Sequence, residues 1–312
     1  MRTPPLASGG LDVGDGHELH WEEHGNPDGV PAVALHGGPG SGIGQGWLRW
    51  FDLSRYRVLL LDQRGCGRST PHAGRTTDAL RANTTQHLVD DLERLRELRD
   101  VHRWVVLGAS WGSTLGLAYA QAHPERVRAL ALFSVVTTTR REVAWVTRDM
   151  RRLFPREWED FVGALPEAER HGDLAAAFHR LLVDPHPAVH QAAARAWCAW
   201  EDRHVSLSAV HDPRYDDPVF ALGFARLVTH YWSHAAWLGE TELLDGTARL
   251  HGVPGLLATG QGDVSGPPDV AHDLAARWPD AELVVVPDAG HGTGAALEAV
   301  VREAVSRFAA LP

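Results

Sequence analysis

Short apolar runs alternate with longer amphipathic stretches in the first part of the chain. VPAVALHG, YRVLLLDQRG, WVVLG and VRALALFSVV have the length and β-branched content of buried strands, and TQHLVDDLERLREL has helical spacing. Strand patterns return late with VPGLLATG and AELVVVPDAG, and LEAVVREAVSRFAAL predicts a closing helix. Such alternation is typical of a mostly parallel sheet covered by helices, so we predict an α/β fold.

The middle of the chain carries helical patterns without strands. EVAWVTRDMRRLF, DLAAAFHRLLV, HPAVHQAAARAWCAWEDRHVSL and PVFALGFARLVTHYWSHAAWL follow one another here, with six of the twelve tryptophans. A sheet that is interrupted by helices and then completed indicates a core with an inserted helical lid. The predicted division is a core over residues 1–137 and 241–312 and a lid over residues 138–240.

Candidate chemistry is sought after the apolar runs, because ligands of open α/β folds bind beyond the carboxyl ends of the strands. Ser110 follows WVVLG and precedes a helical pattern that lasts to Pro124. Gly108 and Gly112 flank it in a G-x-S-x-G arrangement, which lifts a serine hydroxyl above the sheet on a sharp turn. A serine before a helix is also a common N-cap, so this motif alone leaves both interpretations open.

The glycine-rich stretch HGGPGSG follows the first apolar run. Gly37 and Gly38 can point backbone N–H groups into a cavity, and the residue after the serine, Trp111, can supply a further donor. These three are candidate oxyanion-hole residues. A plain tight turn is the alternative for the glycine stretch.

An acid and an imidazole follow the two late strands. The chain order Ser110, Asp263, His291 is that of the α/β-hydrolase triad, in which histidine takes the serine proton and the carboxylate orients the imidazole. Asp288 and Asp245 are rivals for the acid. Asp288 lies only three residues before the histidine, and Asp245 precedes its strand, so Asp263 is preferred. Together these features predict a serine hydrolase with an acyl-enzyme mechanism, which needs no metal or organic cofactor.

The composition and charge of the chain limit the classes of binding partner and the cellular location that we expect. The net charge of −10 opposes binding to nucleic acids or anionic membranes. All 30 basic residues are arginine, which excludes Schiff-base and Walker-type lysine chemistry. Cys66 and Cys198 match no zinc or redox spacing. The N-terminus lacks a signal-type apolar run and no run is long enough to span a bilayer, so we expect a cytoplasmic protein.

Eight motifs are distributed along nearly the whole chain: HGGPGSG at 36–42, DQRGCGRS at 62–69, GASWGSTLGLAYA at 108–120, FPREWEDF at 154–161, AARAWCAWE at 193–201, FARLVTHYW at 224–232, GQGD at 260–263 and AGH at 289–291. They resemble the motifs of the proline iminopeptidases, a family of the α/β-hydrolase superfamily. The resemblance implies a serine enzyme that removes an N-terminal proline from peptides. It also implies that lid carboxylates hold the free amino group of the substrate.

One of those carboxylates corresponds to Glu201 in WCAWE, where Trp200 is a further candidate for substrate binding. Trp197 lies four residues before Glu201, so one helix face would place the carboxylate beside an aromatic wall. A buried carboxylate that pairs with an arriving ammonium is a sensible anchor. An exposed glutamate at the end of a helix is the alternative.

The second family glutamate is replaced by Val228 in this chain. Phe224, Val228 and Trp232 share one helical stripe, which predicts an apolar pocket wall where the family places charge. A small residue released from a peptide or arylamide, proline first, is the expected product. A related hydrolase of amides or esters without a free amine, such as a specialised-metabolite intermediate, is the alternative. A non-catalytic binder is a third hypothesis, which the ordered nucleophile and base oppose.

Overall fold

The computed structural model describes residues 4–208, 211–292 and 294–311. Its strands are β1 (Ala7–Gly14), β2 (His17–Gly25), β3 (Val30–Leu35), β4 (Tyr56–Leu61), β5 (Trp104–Ala109), β6 (Val127–Phe133), β7 (Gly255–Gly260) and β8 (Ala281–Val286). They form one eight-stranded sheet in the order β1-β2-β4-β3-β5-β6-β7-β8. Only the pairs that include β2 are antiparallel. The predicted mostly parallel sheet is confirmed.

Helices cover the sheet and fill the interval between β6 and β7. They are α1 (Thr85–Leu98), α2 (Trp111–Ala122), α3 (Arg140–Thr147), α4 (Pro155–Gly163), α5 (Leu174–Leu182), α6 (Pro187–His204), α7 (Pro218–Ser233), α8 (Glu242–Asp245), α9 (Asp269–Ala275) and α10 (Ala295–Phe308). Helices α3 to α8 lie between the two strands, together with short 3₁₀ turns. Over its described residues the segment predicted to be helical contains helices joined by turns and loops and no strand, while the domain boundaries stay a prediction.

The central strands are apolar throughout because both faces of the sheet are covered. Val33 and Leu35 of β3 point into the core that contains α1 and α2, whereas Ala32 and Ala34 point into the opposite core, which contains α10. Consecutive side chains of a strand alternate between faces, so a strand buried on both sides has no polar positions. This arrangement explains the continuous apolar runs in the sequence.

The hairpin of β1 and β2 was not expected from the apolar pattern. Alternate residues of ASGGLDVG are exposed, and β2 mixes buried residues with the charged side chains of Glu18, Glu22 and Glu23. The hairpin extends the sheet through pairing of β2 with β4. An edge ribbon of this kind buries too little apolar surface to leave a clear run in the sequence.

The lid helices have a core of their own. Phe161 stacks on Phe178 with ring centroids 4.5 Å apart and on Trp200 with centroids 5.2 Å apart, and Trp197 packs edge-on against the same cluster. The lid is therefore a packed layer with its own hydrophobic core. It lies above the edge of the sheet where β5, β7 and β8 end. Within the described ranges, no helix has the length and apolarity required to cross a membrane.

Candidate active site

Ser110 lies on the sharp turn between β5 and α2. Its backbone has φ 55° and ψ −124°, a conformation that L-residues rarely adopt. The turn requires glycine on both sides. A Cβ at Gly108 would lie 2.2 Å from the carbonyl oxygen of Gly112, and a Cβ at Gly112 would lie 2.1 Å from that of Leu35. The G-x-S-x-G sequence is therefore needed for strand, turn and helix to approach this closely.

Three of the predicted site residues form a hydrogen-bonded chain. Ser110 Oγ lies 3.0 Å from Nε2 of His291. Nδ1 of the same imidazole lies 2.9 Å from each carboxylate oxygen of Asp263. The rival acids lie elsewhere, since Asp288 is exposed and Asp245 pairs with Arg277 at the surface. The structure thus brings together the serine, the imidazole and the preferred acid.

The carboxylate of Asp263 controls the protonation of the imidazole. Burial of His291 favours its neutral form, but the charge of Asp263, its hydrogen bond and a smaller effect of Glu201 outweigh burial and raise the pKa of His291 above 6.5. Asp263 is itself 2% exposed and accepts the Gly266 N–H at 2.8 Å. The acid is therefore held in a fixed orientation by the loop that follows β7.

The candidate oxyanion donors lie around the serine. Gly37, Gly38 and Trp111 all line the same cavity as Ser110. A Cβ at Gly37 would lie 3.2 Å from Cβ of Ser110, so this backbone passes directly beside the serine. Trp111 is the first residue of α2, and the first N–H groups of a helix have no carbonyl partner in their own helix. These backbone groups can stabilise a developing negative oxygen.

Gln63 connects the loop of His36 and Gly37 to Trp111, a role that the sequence did not suggest. Its side-chain amide donates to the carbonyl oxygen of His36 at 3.1 Å and accepts from Trp111 Nε1 at 2.9 Å. His36 Nδ1 faces the Gly37 carbonyl at 2.9 Å and Nε2 accepts from the Gln63 N–H at 3.2 Å. Burial lowers the pKa of His36, which keeps this imidazole neutral. Gln63 thus links the two sources of oxyanion donors.

A cavity of about 510 Å³ opens between the serine and the lid. Its lining includes the candidates Gly37, Gly38, Ser110, Trp111, Glu201, Phe224, Trp232 and His291. The volume exceeds that of a single amino acid, so the cavity has room for a short peptide or an arylamide. Asp263 lies behind His291, with its side chain fully buried.

Glu201 lies on the cavity wall near the end of α6 and is 6% exposed. Oε1 accepts from Trp197 Nε1 at 2.9 Å, as the spacing of four residues predicts for one helix face. Oε2 lies 3.1 Å from Nε2 of His204. The negative charge of Glu201 affects two nearby titratable groups. Burial raises the pKa of Tyr215 most, and the charge of Glu201 raises it further. The same charge contributes to the raised pKa of His291. The alternative of an exposed glutamate is wrong.

Two of the predicted substrate-binding residues, Val228 and Trp200, do not line the cavity. Phe224 and Trp232 line the cavity, but Val228 on the same stripe is fully buried in the lid core. Trp200 is also enclosed there, 1% exposed among other aromatic rings. Helical spacing correctly places these three residues of α7 on one face. It does not show which of them face the cavity and which face the interior of the lid. Val228 and Trp200 can therefore shape the wall without lining it.

Lid residues hold the loop that carries the acid. Trp145 of α3 donates through Nε1 to the carbonyl oxygen of Val264 at 2.8 Å. His204 of α6 approaches Ser265, with Nδ1 and Oγ 2.7 Å apart. Both contacts fall within three residues of Asp263. The lid thus meets the core at the loop that orients the imidazole.

Other acidic side chains at the cavity already have strong partners. Glu142 accepts from the N–H and hydroxyl groups of Thr137 and Thr139 at 2.7–3.0 Å. Asp212 pairs with Arg214 at 2.6 Å, and Asp202 with His211 at 2.6 Å. Across the described residues, no three or more histidine, cysteine, aspartate or glutamate side chains are grouped so as to hold a metal ion.

Known proteins resemble this chain over nearly its whole length. Residues 31–293 match the family of the alpha/beta hydrolase fold. The chain is 45% identical to a probable proline iminopeptidase of Streptomyces coelicolor, over 98% of this chain and 96% of the relative. It is 43% identical to a proline iminopeptidase of Xylella fastidiosa, over 92% and 91% of the two chains.

A solved structure shares the fold at lower identity. The crystal structure of proline iminopeptidase from Mycobacterium smegmatis superposes with a TM-score of 0.61, at 22% identity, over 97% of this chain and 99% of the other. The identity is too low to indicate more than the fold. The relatives of higher identity cover nearly the whole chain, core and lid alike. The chain belongs to the proline iminopeptidase family of the α/β hydrolases.

Proposed function

We propose that this protein is a serine aminopeptidase that releases an N-terminal proline from small peptides and arylamides. The observation that carries the proposal is the chain from Ser110 through His291 to Asp263 at the floor of a lidded cavity. The names of the relatives support the choice of proline. They do not favour the alternative of a hydrolase for amides or esters without a free amine.

In the proposed cycle, Ser110 Oγ attacks the carbonyl carbon of the N-terminal residue while its proton passes to His291 Nε2. The C–N bond then breaks, and the imidazolium returns the proton to the leaving amine. Water attacks the resulting ester on Ser110 with the same imidazole as base. Asp263 keeps the proton of the neutral imidazole on Nδ1, so that Nε2 faces the serine with a lone pair.

The negative oxygen of each tetrahedral intermediate is proposed to lie against the backbone N–H groups of Trp111 and Gly38, with Gly37 beside them. Gln63 supports this arrangement because it joins Trp111 to the loop of His36. Fixed donors require no reorganisation when the charge develops. Loss of one such donor typically costs on the order of 10²-fold in kcat.

Glu201 is proposed to bind the protonated amino group of the substrate. Its carboxylate is buried on the cavity wall, and its contacts are an indole N–H and an imidazole rather than an arginine. Phe224 and Trp232 offer apolar surface to the pyrrolidine ring. A carboxylate that lacks a cationic partner in a buried site favours an arriving cation.

The test is a substrate panel with the wild-type protein and Ser110→Ala. We expect hydrolysis of L-proline p-nitroanilide to exceed that of N-acetyl-L-proline p-nitroanilide and of simple p-nitrophenyl esters in kcat/KM. Ser110→Ala should lower kcat by about 10⁴ or more with an unchanged circular-dichroism spectrum, because the hydroxyl does chemistry and little packing. A loss of only a few-fold would refute the nucleophile assignment.

The same panel, together with a fluorophosphonate probe, separates the aminopeptidase from the diverted hydrolase and from the non-catalytic binder. Faster hydrolysis of amine-free esters would favour the diverted hydrolase, and failure to react with a fluorophosphonate probe would favour a binder. The cytoplasmic location stays a prediction. Cys66 and Cys198 are free, buried thiols, which suits a reducing compartment.

A further inference from the structure

Two buried side chains meet one turn apart at the end of α6. Glu201 and His204 are 6% and 3% exposed, and both line the cavity. Glu201 Oε2 and His204 Nε2 are 3.1 Å apart. The geometry is not that of an aligned hydrogen bond, and His204 Nε2 is a buried nitrogen that finds no hydrogen-bond partner among the described residues. This nitrogen is left for a ligand.

Ser265 contacts the other ring nitrogen of His204 and favours one tautomer of the imidazole. Ser265 Oγ donates to the main-chain carbonyl oxygen of His204 at 3.0 Å and lies 2.7 Å from His204 Nδ1. A hydroxyl has one hydrogen, and here the carbonyl takes it. In the tautomer that this arrangement favours, Nδ1 donates to Oγ and Nε2 has a free lone pair.

Two acceptors consequently face one another at the cavity wall. In that tautomer Nε2 offers a lone pair and Oε2 a negative charge, and no aligned hydrogen bond joins the two atoms. A nitrogen that bears two N–H bonds can lie about 2.9 Å from both atoms, since that distance forms a triangle on a 3.1 Å base. A protonated secondary amine has this number of N–H bonds. The pair is thus complete only when such a cation is bound.

The surrounding charges direct the cation to this pair. Glu142 is occupied by four donors, Asp212 by Arg214, and Asp202 by His211. Trp197 occupies the other oxygen of Glu201, and Trp232 packs against Trp197 with ring centroids 5.6 Å apart. An amine in the cavity therefore finds its free acceptors at Glu201 and His204.

We propose that His204 is a specificity residue that contacts the substrate. Its Nε2 accepts one N–H of the protonated amino group while Glu201 Oε2 accepts the other. The proposal rests on the proposed function, because it concerns the amine of that substrate. It assigns the imidazole of His204 the role of a second acceptor, and it makes Ser265 the positioning residue that favours the required tautomer.

The test measures binding in a Ser110→Ala background, where no chemistry intervenes. The ligands are L-prolinamide and cyclopentanecarboxamide, which share ring and amide and differ by a protonated N–H in place of CH. Calorimetry should show tighter binding of prolinamide. His204→Leu should reduce that preference by about tenfold and leave cyclopentanecarboxamide within about twofold, because only one charge-assisted contact is lost.

Three further variants distinguish a direct contact between His204 and the ligand from a purely structural role of His204. His204→Gln, whose amide oxygen can replace the Nε2 acceptor, should keep most of the preference. Ser265→Ala should weaken it, because the imidazole can then place its proton on Nε2. His190→Leu is the matched control on the same helix: His190 bonds to the carbonyl oxygen of Asp184, and its variant should leave the preference unchanged.

The outcomes are distinct. A His204→Leu protein that loses both ligands equally, or retains the full preference for prolinamide, overturns the proposal. Failure of the proposed function has a different signature, since wild-type protein would then bind prolinamide through His204 but not hydrolyse L-proline p-nitroanilide. Thermal unfolding of each variant is measured alongside, and His204→Gln provides the comparison if His204→Leu is unstable.

Discussion

Replacement of Asp263 by asparagine should reverse the tautomer of His291. Gly266 donates its N–H to Oδ1 at 2.8 Å, so the amide of the variant should place its oxygen there. The NH₂ group then takes the position of Oδ2, 2.9 Å from His291 Nδ1. Oδ1 also lies 2.9 Å from Nδ1, so the amide presents both an acceptor and a donor to this nitrogen, and the donor stabilises the tautomer with its proton on Nε2, 3.0 Å from Ser110 Oγ. A protonated Nε2 cannot accept the serine proton.

The expected loss is about 10⁴ in kcat, the cost of a wrong tautomer in a serine triad. This factor corresponds to about 5.5 kcal/mol of transition-state stabilisation. The pH profile should change as well. In the wild-type protein kcat/KM falls as pH drops through the pKa of His291, which lies above 6.5 because of Asp263. Without the carboxylate that pKa falls, so the acid limb of the residual activity moves to lower pH.

The assay is steady-state hydrolysis of L-proline p-nitroanilide between about pH 5 and 9, which covers both limbs of a histidine-dependent profile. Asp288→Asn is the matched control, because Asp288 is exposed and lies near His291 in sequence. It should retain nearly full activity. The reasoning is refuted if Asp263→Asn keeps more than a tenth of the wild-type kcat or if Asp288→Asn is the more damaging change.

Two other predictions concern charge. Glu201→Gln should lower kcat/KM for L-proline p-nitroanilide by a factor equivalent to about 2–5 kcal/mol while sparing N-acetylated substrate, and an unchanged ratio of the two rates would contradict the amine anchor. His179 and His230, with ring centroids 5.5 Å apart, each have a pKa lowered to about 4, mainly by burial. Between about pH 6.5 and 4 the unfolded chain binds more protons than the folded one, so the free energy of unfolding should fall as pH falls, by on the order of 3 kcal/mol for each histidine. Denaturant titrations should show this fall, and His179→Phe should reduce its slope; equal slopes in both proteins would refute the assignment.

The strands and the chain of serine, imidazole and acid could be predicted because they depend on local patterns. A buried parallel strand appears in the sequence as an apolar run. Ser110 directly follows β5, and Asp263 and His291 lie in the loops that follow β7 and β8. The β1–β2 hairpin left no such run, because alternate residues of β1 are exposed and β2 carries charged side chains among its buried ones.

The supporting residues could not be predicted because their partners are distant in sequence. Gln63 contacts Trp111 across 48 positions, and His204 meets Ser265 across 61. Periodicity places His204 on α6 but contains nothing about the hydroxyl that favours one of its tautomers. Val228 shows the same limit, since spacing groups it with Phe224 and Trp232 but does not give the rotation of α7 against the cavity.

The contacts of Trp145 and His204 with residues 264 and 265 have a consequence for how such enzymes diversify. The lid is inserted between two strands, which suggests a module that evolution or an engineer can exchange to obtain a new specificity. Yet two of its helices contact the segment that carries Asp263 and orients His291. A lid transplanted from a relative should therefore arrive with its own version of residues 263–266, and a chimera that keeps the old segment should bind the new substrate while turning it over slowly.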